Sequence, residues 1–118
     1  MGFFNKVMTK TDSVDLEDFL NNLDQVQEEN YESADALVKP MDLNTDVDAD
    51  VIIREVKTGN LALVNIADLN KRNKGKLKEL LSKIKSEVRA IDGDMAGISA
   101  DRVLITPSKV KIIKKKGP

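Results

Sequence analysis

Residues 59–94 read GNLALVNIADLNKRNKGKLKELLSKIKSEVRAIDGD, and this stretch decides the fold. The run Leu61–Ile66 is almost continuously apolar, the pattern of a strand covered on both faces. Asp68 or Asn70 then opens a helix. Its apolar residues Leu77, Leu80, Leu81, Ile84 and Val88 recur at intervals of three and four, which places them on one helical face. Lysines and Arg72 cover the remaining faces, and Gly93 breaks the helix.

Working outward, residues 39–43 (KPMDL) make a short strand, with Pro40 tolerated near its start. Asn44 or Thr45 caps a helix running to about Lys57, with Val47, Val51, Ile52 and Val56 turned inward. Gly59 supplies its C-terminal stop. Downstream lie three short candidate strands at 94–98, 102–106 and 110–114, joined at Ala100–Asp101 and Pro107–Ser108. The expected fold class is α/β: a small sandwich in the order β-α-β-α-β-β-β, with a mixed sheet and two helices. It occupies residues 39–118, and 118 residues leave no room for a second core.

The segments before it have their own chemistry. Residues 1–10 (MGFFNKVMTK) carry two lysines and no acid, residues 11–50 carry thirteen acids against Lys39, and residues 51–118 carry sixteen bases against seven acids. A net charge of only −1 therefore conceals three charge regimes. On a helical wheel Met1, Phe3, Phe4, Val7 and Met8 fall on one arc, opposite Lys6 and Lys10. That segregation describes a short amphipathic helix, residues 1–11, of the kind that lies in a membrane interface. Lys6 at the sixth position excludes the myristoylation signal, which needs Ser or Thr there. Residues 12–38 are an acidic linker, partly helical at most, although Leu16, Phe19, Leu20, Leu23 and Val26 keep a helical spacing.

The chain has no Cys and no His, which excludes thiol nucleophiles, disulfides, Cys/His zinc sites and imidazole acid–base catalysis. Asp92 and Asp94 flank Gly93 and could hold a metal or serve a hydrolase, but acids around a glycine read first as turn residues. No phosphate-cradling or nucleophile-elbow motif is present. No cofactor is implied, and the chain is not expected to be an enzyme. The lysine-rich helix and the tail Lys114, Lys115 and Lys116 suggest a nucleic-acid-binding α/β domain as the alternative. Every aromatic residue, however, precedes position 32, and readers of single strands stack bases on aromatics. A solvated basic face is the preferred reading, with nucleic acid an unexpected partner.

The ordered set ALVNI (62–66), a polar-opening helix leaving through AIDGD (90–94), RVLITP (102–107) and KVKI (109–112) resembles the core of the SepF family. So does the layout of amphipathic N-terminus, acidic linker and α/β domain. SepF proteins tether the tubulin-like GTPase FtsZ to the membrane. Bacterial members often read GGD at the helix exit; here Asp92-Gly93-Asp94 and Ser99 stand instead, which suits the archaeal branch. The resemblance implies a non-enzymatic cell-division adaptor, a homodimer, at the inner face of the cell membrane at the division site. It implies that Met1, Phe3, Phe4, Lys6, Val7, Met8 and Lys10 meet lipid. It also implies that Leu77, Leu81, Met95, Ile98, Val103 and Ile105 offer an apolar groove to the FtsZ C-terminal tail, and that Gly93 allows close backbone approach at the dimer. Taken singly, Met95, Val103 and Ile105 read as ordinary core; only the resemblance assigns them to a site.

Overall fold

Thr45 fixes where the domain's first helix begins. In the computed structural model, which describes residues 15–23 and 31–114, its hydroxyl accepts from the Asp48 N–H at 3.2 Å. The Asp48 carboxylate accepts in return from the Thr45 N–H at 3.1 Å, closing a capping box. The chain forms two compact units, residues 1–34 and 35–118. In the first, residues 15–23 are helical (α1), with Leu16, Phe19, Leu20 and Leu23 each at least 50% exposed. This part of the expected linker is thus a formed helix. The expected membrane-binding residues Met1, Phe3, Phe4, Lys6, Val7, Met8 and Lys10 lie outside the described residues.

The second unit runs β1 (Val38–Asp42), α2 (Asp46–Thr58), β2 (Leu61–Asn65), α3 (Ala67–Arg72), α4 (Lys74–Ala90), β3 (Asp94–Ser99) and β4 (Arg102–Thr106). The sheet has four strands in the order β1-β2-β4-β3. β1 pairs parallel to β2, whereas β2–β4 and β3–β4 are antiparallel. A mixed sheet is therefore present as expected. Pro40 lies in the middle of β1, an edge strand, where a missing N–H is tolerated.

The core lies between the helices and one face of this sheet. Ala62 and Val64 of β2 and Val103 and Ile105 of β4 meet Ala49, Ile52 and Val56 of α2 and Leu77, Leu80, Ile84 and Val88 of α4. Among the described residues the buried aliphatic side chains run from Leu43 to Ile105, so the unit 35–118 holds a core of its own.

Four local expectations change. Val47 is 69% exposed, and Ala49 and Ile53 are buried instead, because they share one helical face with Ile52 and Val56. The long basic helix is two helices. Asn73 leaves helical geometry at φ −158 and ψ 88, and its side chain accepts from the Lys76 N–H to cap α4. Leu61 and Leu63 of β2 are half-buried while Ala62 and Val64 are buried, so the helices cover only one face of that strand. Residues 110–114 are not a strand. A turn closed by the Val110 N–H on the Pro107 carbonyl at 3.1 Å, and by the Thr106 hydroxyl on the Val110 carbonyl at 2.6 Å, carries them past the start of β3 as a strap.

Candidate peptide-binding groove

A groove of about 260 Å³ runs between α4 and β3. Leu77, Leu81 and Met95 form its apolar floor, and Lys74, Lys78 and Lys85 stand along it. The helical period explains the arrangement. Leu77, Leu80, Ile84 and Val88 are buried in the core. Leu81, one step round the helix, is left half-buried and packed on the edge of that core. Met95 reaches the same place from β3. It is paired with Ile105, which is fully buried, so Met95 is on the helix-facing side of the sheet at its open edge.

Three of the residues expected to bind a partner tail, Leu77, Leu81 and Met95, are therefore brought together in one groove. Val103 and Ile105 are 6% and 0% exposed and belong to the core behind it. Ile98 is 53% exposed toward the far end of β3, outside the residues that line the groove. Gly93 does permit a close approach, within the chain itself. An added Cβ would overlap the Thr106 carbonyl and the Val88 side chain, so its lack of a side chain lets the end of α4 meet the end of β4. Asp92 before it takes φ 61, the left-handed region that Asp enters more readily than most residues.

The acids around Gly93 serve the strap. Asp94 accepts from the Met95 N–H at 2.9 Å, from the Ile112 N–H at 2.8 Å and from Lys114 Nζ. The Lys114 bond, followed by the two backbone donors, holds the Asp94 carboxyl well below the usual carboxylate range. Lys111 pairs with the Asp92 carboxylate at 3.3 Å and also donates to the Asp92 carbonyl. Both carboxylates are thus engaged by the strap, and among the described residues no acidic cluster suited to a metal occurs.

Charge is distributed unevenly over α4. On the flank facing α2, Lys76 pairs with Asp46 at 3.0 Å and Lys83 with Asp50 at 2.8 Å; these bonds raise both lysine pKa values. Lys57 of α2 reaches Glu87 of α4 at 2.9 Å. Lys74, Lys78 and Lys85, on the groove side, have no acidic partner among the described residues. The sequence shows all of these lysines but not which of them are neutralised, since apart from Glu79, which also meets Lys76 at 3.3 Å within α4, their partners come from a separate helix.

Fold and groove together define a small two-layer α/β domain with a mixed four-stranded sheet, open at one edge to a lysine-lined apolar groove. The family described as "Cell division protein SepF" matches residues 37–112, more than half of the chain, and the chain belongs to this family of cell-division proteins. Among solved structures it is similar to a SepF-like protein from Archaeoglobus fulgidus, with 24% identity over 70% of this chain and 98% of that one, at a TM-score of 0.63. It is similar also to a SepF-like protein from Pyrococcus furiosus, with 27% identity over 64% of this chain and 92% of that one, at a TM-score of 0.60. The first likeness bears on the fold alone. A search of curated proteins found no match.

Proposed function

We propose that this SepF-family protein is a non-enzymatic adaptor that holds FtsZ at the inner face of the cell membrane. The observation that carries the reading is the apolar floor of Leu77, Leu81 and Met95 beside lysines without an acidic partner among the described residues, in a chain of a cell-division family. Such a groove suits a short peptide, and the FtsZ C-terminal tail is the proposed occupant. Residues 1–11 serve as the lipid anchor. Among the described residues no helix is long and apolar enough to cross a membrane, and the amphipathic N-terminus supplies a peripheral contact instead.

The protein acts as a homodimer in this reading, and the sheet face left uncovered by the described residues supports it. Pro40, Leu63, Leu104 and Ala96 lie side by side across the four strands on the face away from the helices. A row of apolar residues on a sheet is normally covered, and a second copy provides that cover.

Calorimetry of residues 35–118 with an FtsZ tail peptide, at low and high salt, tests the adaptor. The expected result is micromolar binding, one peptide per subunit, weakened only partly by salt, because apolar contact supplies most of the affinity and the basic side chains a smaller part. Absence of heat, together with binding to DNA or RNA that falls steeply with salt, would replace the adaptor with a nucleic-acid-binding domain.

A further inference from the structure

The groove does not end at Met95. A second cavity of about 260 Å³ shares Lys85 and Met95 with it and continues toward the C-terminal end of α4, where Arg89, Asp94 and Lys114 line it. The two compartments have opposite chemistry. The first has an apolar floor, whereas the second sets the cations Lys85, Arg89 and Lys114 around the single acid Asp94. That acid is already occupied: its carboxylate takes two backbone N–H groups and Lys114 Nζ. Lys85 and Arg89 find no acidic partner among the described residues, although both could turn toward one if it arrived.

Chance scatter of solubilising lysines would not sort them this way. Lys76 and Lys83, on the α2 flank, are each matched by an acid. Lys74, Lys78, Lys85 and Arg89 follow one another at helical intervals of four, seven and four, a row along one face, and all four line the two cavities without an acidic partner among the described residues. The strap adds Lys114 from the opposite wall, held in position by Asp94. Residues 111–114 thus help to build a compartment.

We propose that this second compartment is a carboxylate subsite: the peptide whose apolar side chains fill the Leu77–Leu81–Met95 floor carries an Asp or Glu that is received by Lys85, Arg89 and Lys114. The proposal rests on the reading of the groove as the FtsZ-tail site and adds to it a direction. At 1.5 Å of rise per helical residue, Lys85 and Arg89 lie roughly 6 and 12 Å along α4 from Leu81. An extended peptide advances about 3.3 Å per residue, so its carboxylate stands about two to four residues from its apolar anchor. The apolar end lies toward Lys74 and the acidic end toward Arg89. Carboxylates bound by guanidinium and ammonium groups gain more than steering, because charge-assisted hydrogen bonds form at the end point.

A double-mutant cycle tests this. The unit 35–118, with and without Lys85→Gln and Arg89→Gln, is titrated calorimetrically with an FtsZ tail peptide, with and without its Asp and Glu residues changed to Asn and Gln. Both side chains are on the exposed surface of α4, and an unchanged urea midpoint verifies that the variant is folded. The expected result is a loss of about tenfold in affinity on neutralising either partner, and little further loss on neutralising both. Undiminished binding of the native peptide by the Gln variant, or losses that simply multiply, would overturn the subsite while leaving the groove reading intact. Failure of the unaltered unit to bind either peptide would overturn both.

Discussion

A methyl group at position 93 has nowhere to go. It would overlap the Thr106 carbonyl and the Val88 side chain, and a backbone carbonyl in a sheet cannot swing aside as the tip of a flexible side chain can. Gly93→Ala is therefore expected to destabilise the unit 35–118 by about 1–3 kcal/mol, the usual cost of overpacking, lowering its urea midpoint. Gly75→Ala provides the contrast. Its nearest neighbour would be the Asn73 side-chain oxygen at 3.6 Å, an ordinary contact within the first turn of α4. There the gain in helix propensity is free to act, worth up to about 1 kcal/mol, so the midpoint should rise. Opposite signs for one chemical change, read in the same denaturation assay, separate close approach from conformational freedom; two downward shifts would refute this account of Gly75.

Among the elements, the strap shows best what a periodic pattern can and cannot convey. Lys109, Val110, Lys111 and Ile112 alternate like an edge strand, yet a strand also needs a ladder to join. The turn after Thr106 and the carboxylate of Asp94 hold these residues by other bonds. That attachment has a definite pH dependence. Because the Lys114 and backbone bonds depress the folded-state pKa of Asp94, its contribution is complete above the unfolded-state value of about 3.9 and is lost as pH falls toward the lower folded-state value. The Ile112 amide resonance should therefore hold steady from pH 7 to about pH 4 and move only in stronger acid. Asp94→Asn should shift it at every pH; a midpoint near the ordinary carboxylate value would show that the bonds are not maintained in solution. The stripe Leu77, Leu80, Ile84 and Val88 and the apolar run of β2 were legible because burial on one face or several imposes a period on the sequence. The break at Asn73 was not, since the apolar period passes smoothly on either side of it. The inward face of α2 is legible at Ile52 and Val56 but not at Ala49 and Ile53, because the larger valines Val47 and Val51 compete for the same periodic pattern while the buried face runs through Ala49, Ile52, Ile53 and Val56. In the groove, the floor could be named from apolar spacing and family likeness. The unpaired cations could not, since Lys76 and Lys83 are distinguished from Lys78 and Lys85 chiefly by Asp46 and Asp50 on another helix.

At the scale of the whole molecule, the proposed dimer and the proposed anchor depend on each other. Five apolar side chains at the N-terminus provide only a few kcal/mol of interfacial burial, and each lysine near an anionic surface adds about 1 kcal/mol. One such helix holds a protein only marginally. Two on one dimer make the second contact intramolecular, at an effective concentration of roughly the millimolar range. Placing charge on the uncovered sheet face should therefore act at a distance. Leu63 and Leu104 are paired neighbours on β2 and β4, both half-buried, so Leu63→Glu with Leu104→Glu sets two carboxylates against their own copies across the proposed interface without entering the core. The unaltered chain should have a solution mass of twice 13.1 kDa, and the variant the mass of one chain. In flotation with anionic vesicles the variant should be recovered poorly, as should Phe3→Asp with Phe4→Asp, although the latter remains dimeric. Both should retain the FtsZ tail in the α4–β3 groove, which lies on the helix-facing side of the sheet. A variant that stays dimeric would remove the sheet face as the interface, and one that becomes monomeric yet floats as well as the unaltered chain would show that a single N-terminal helix suffices.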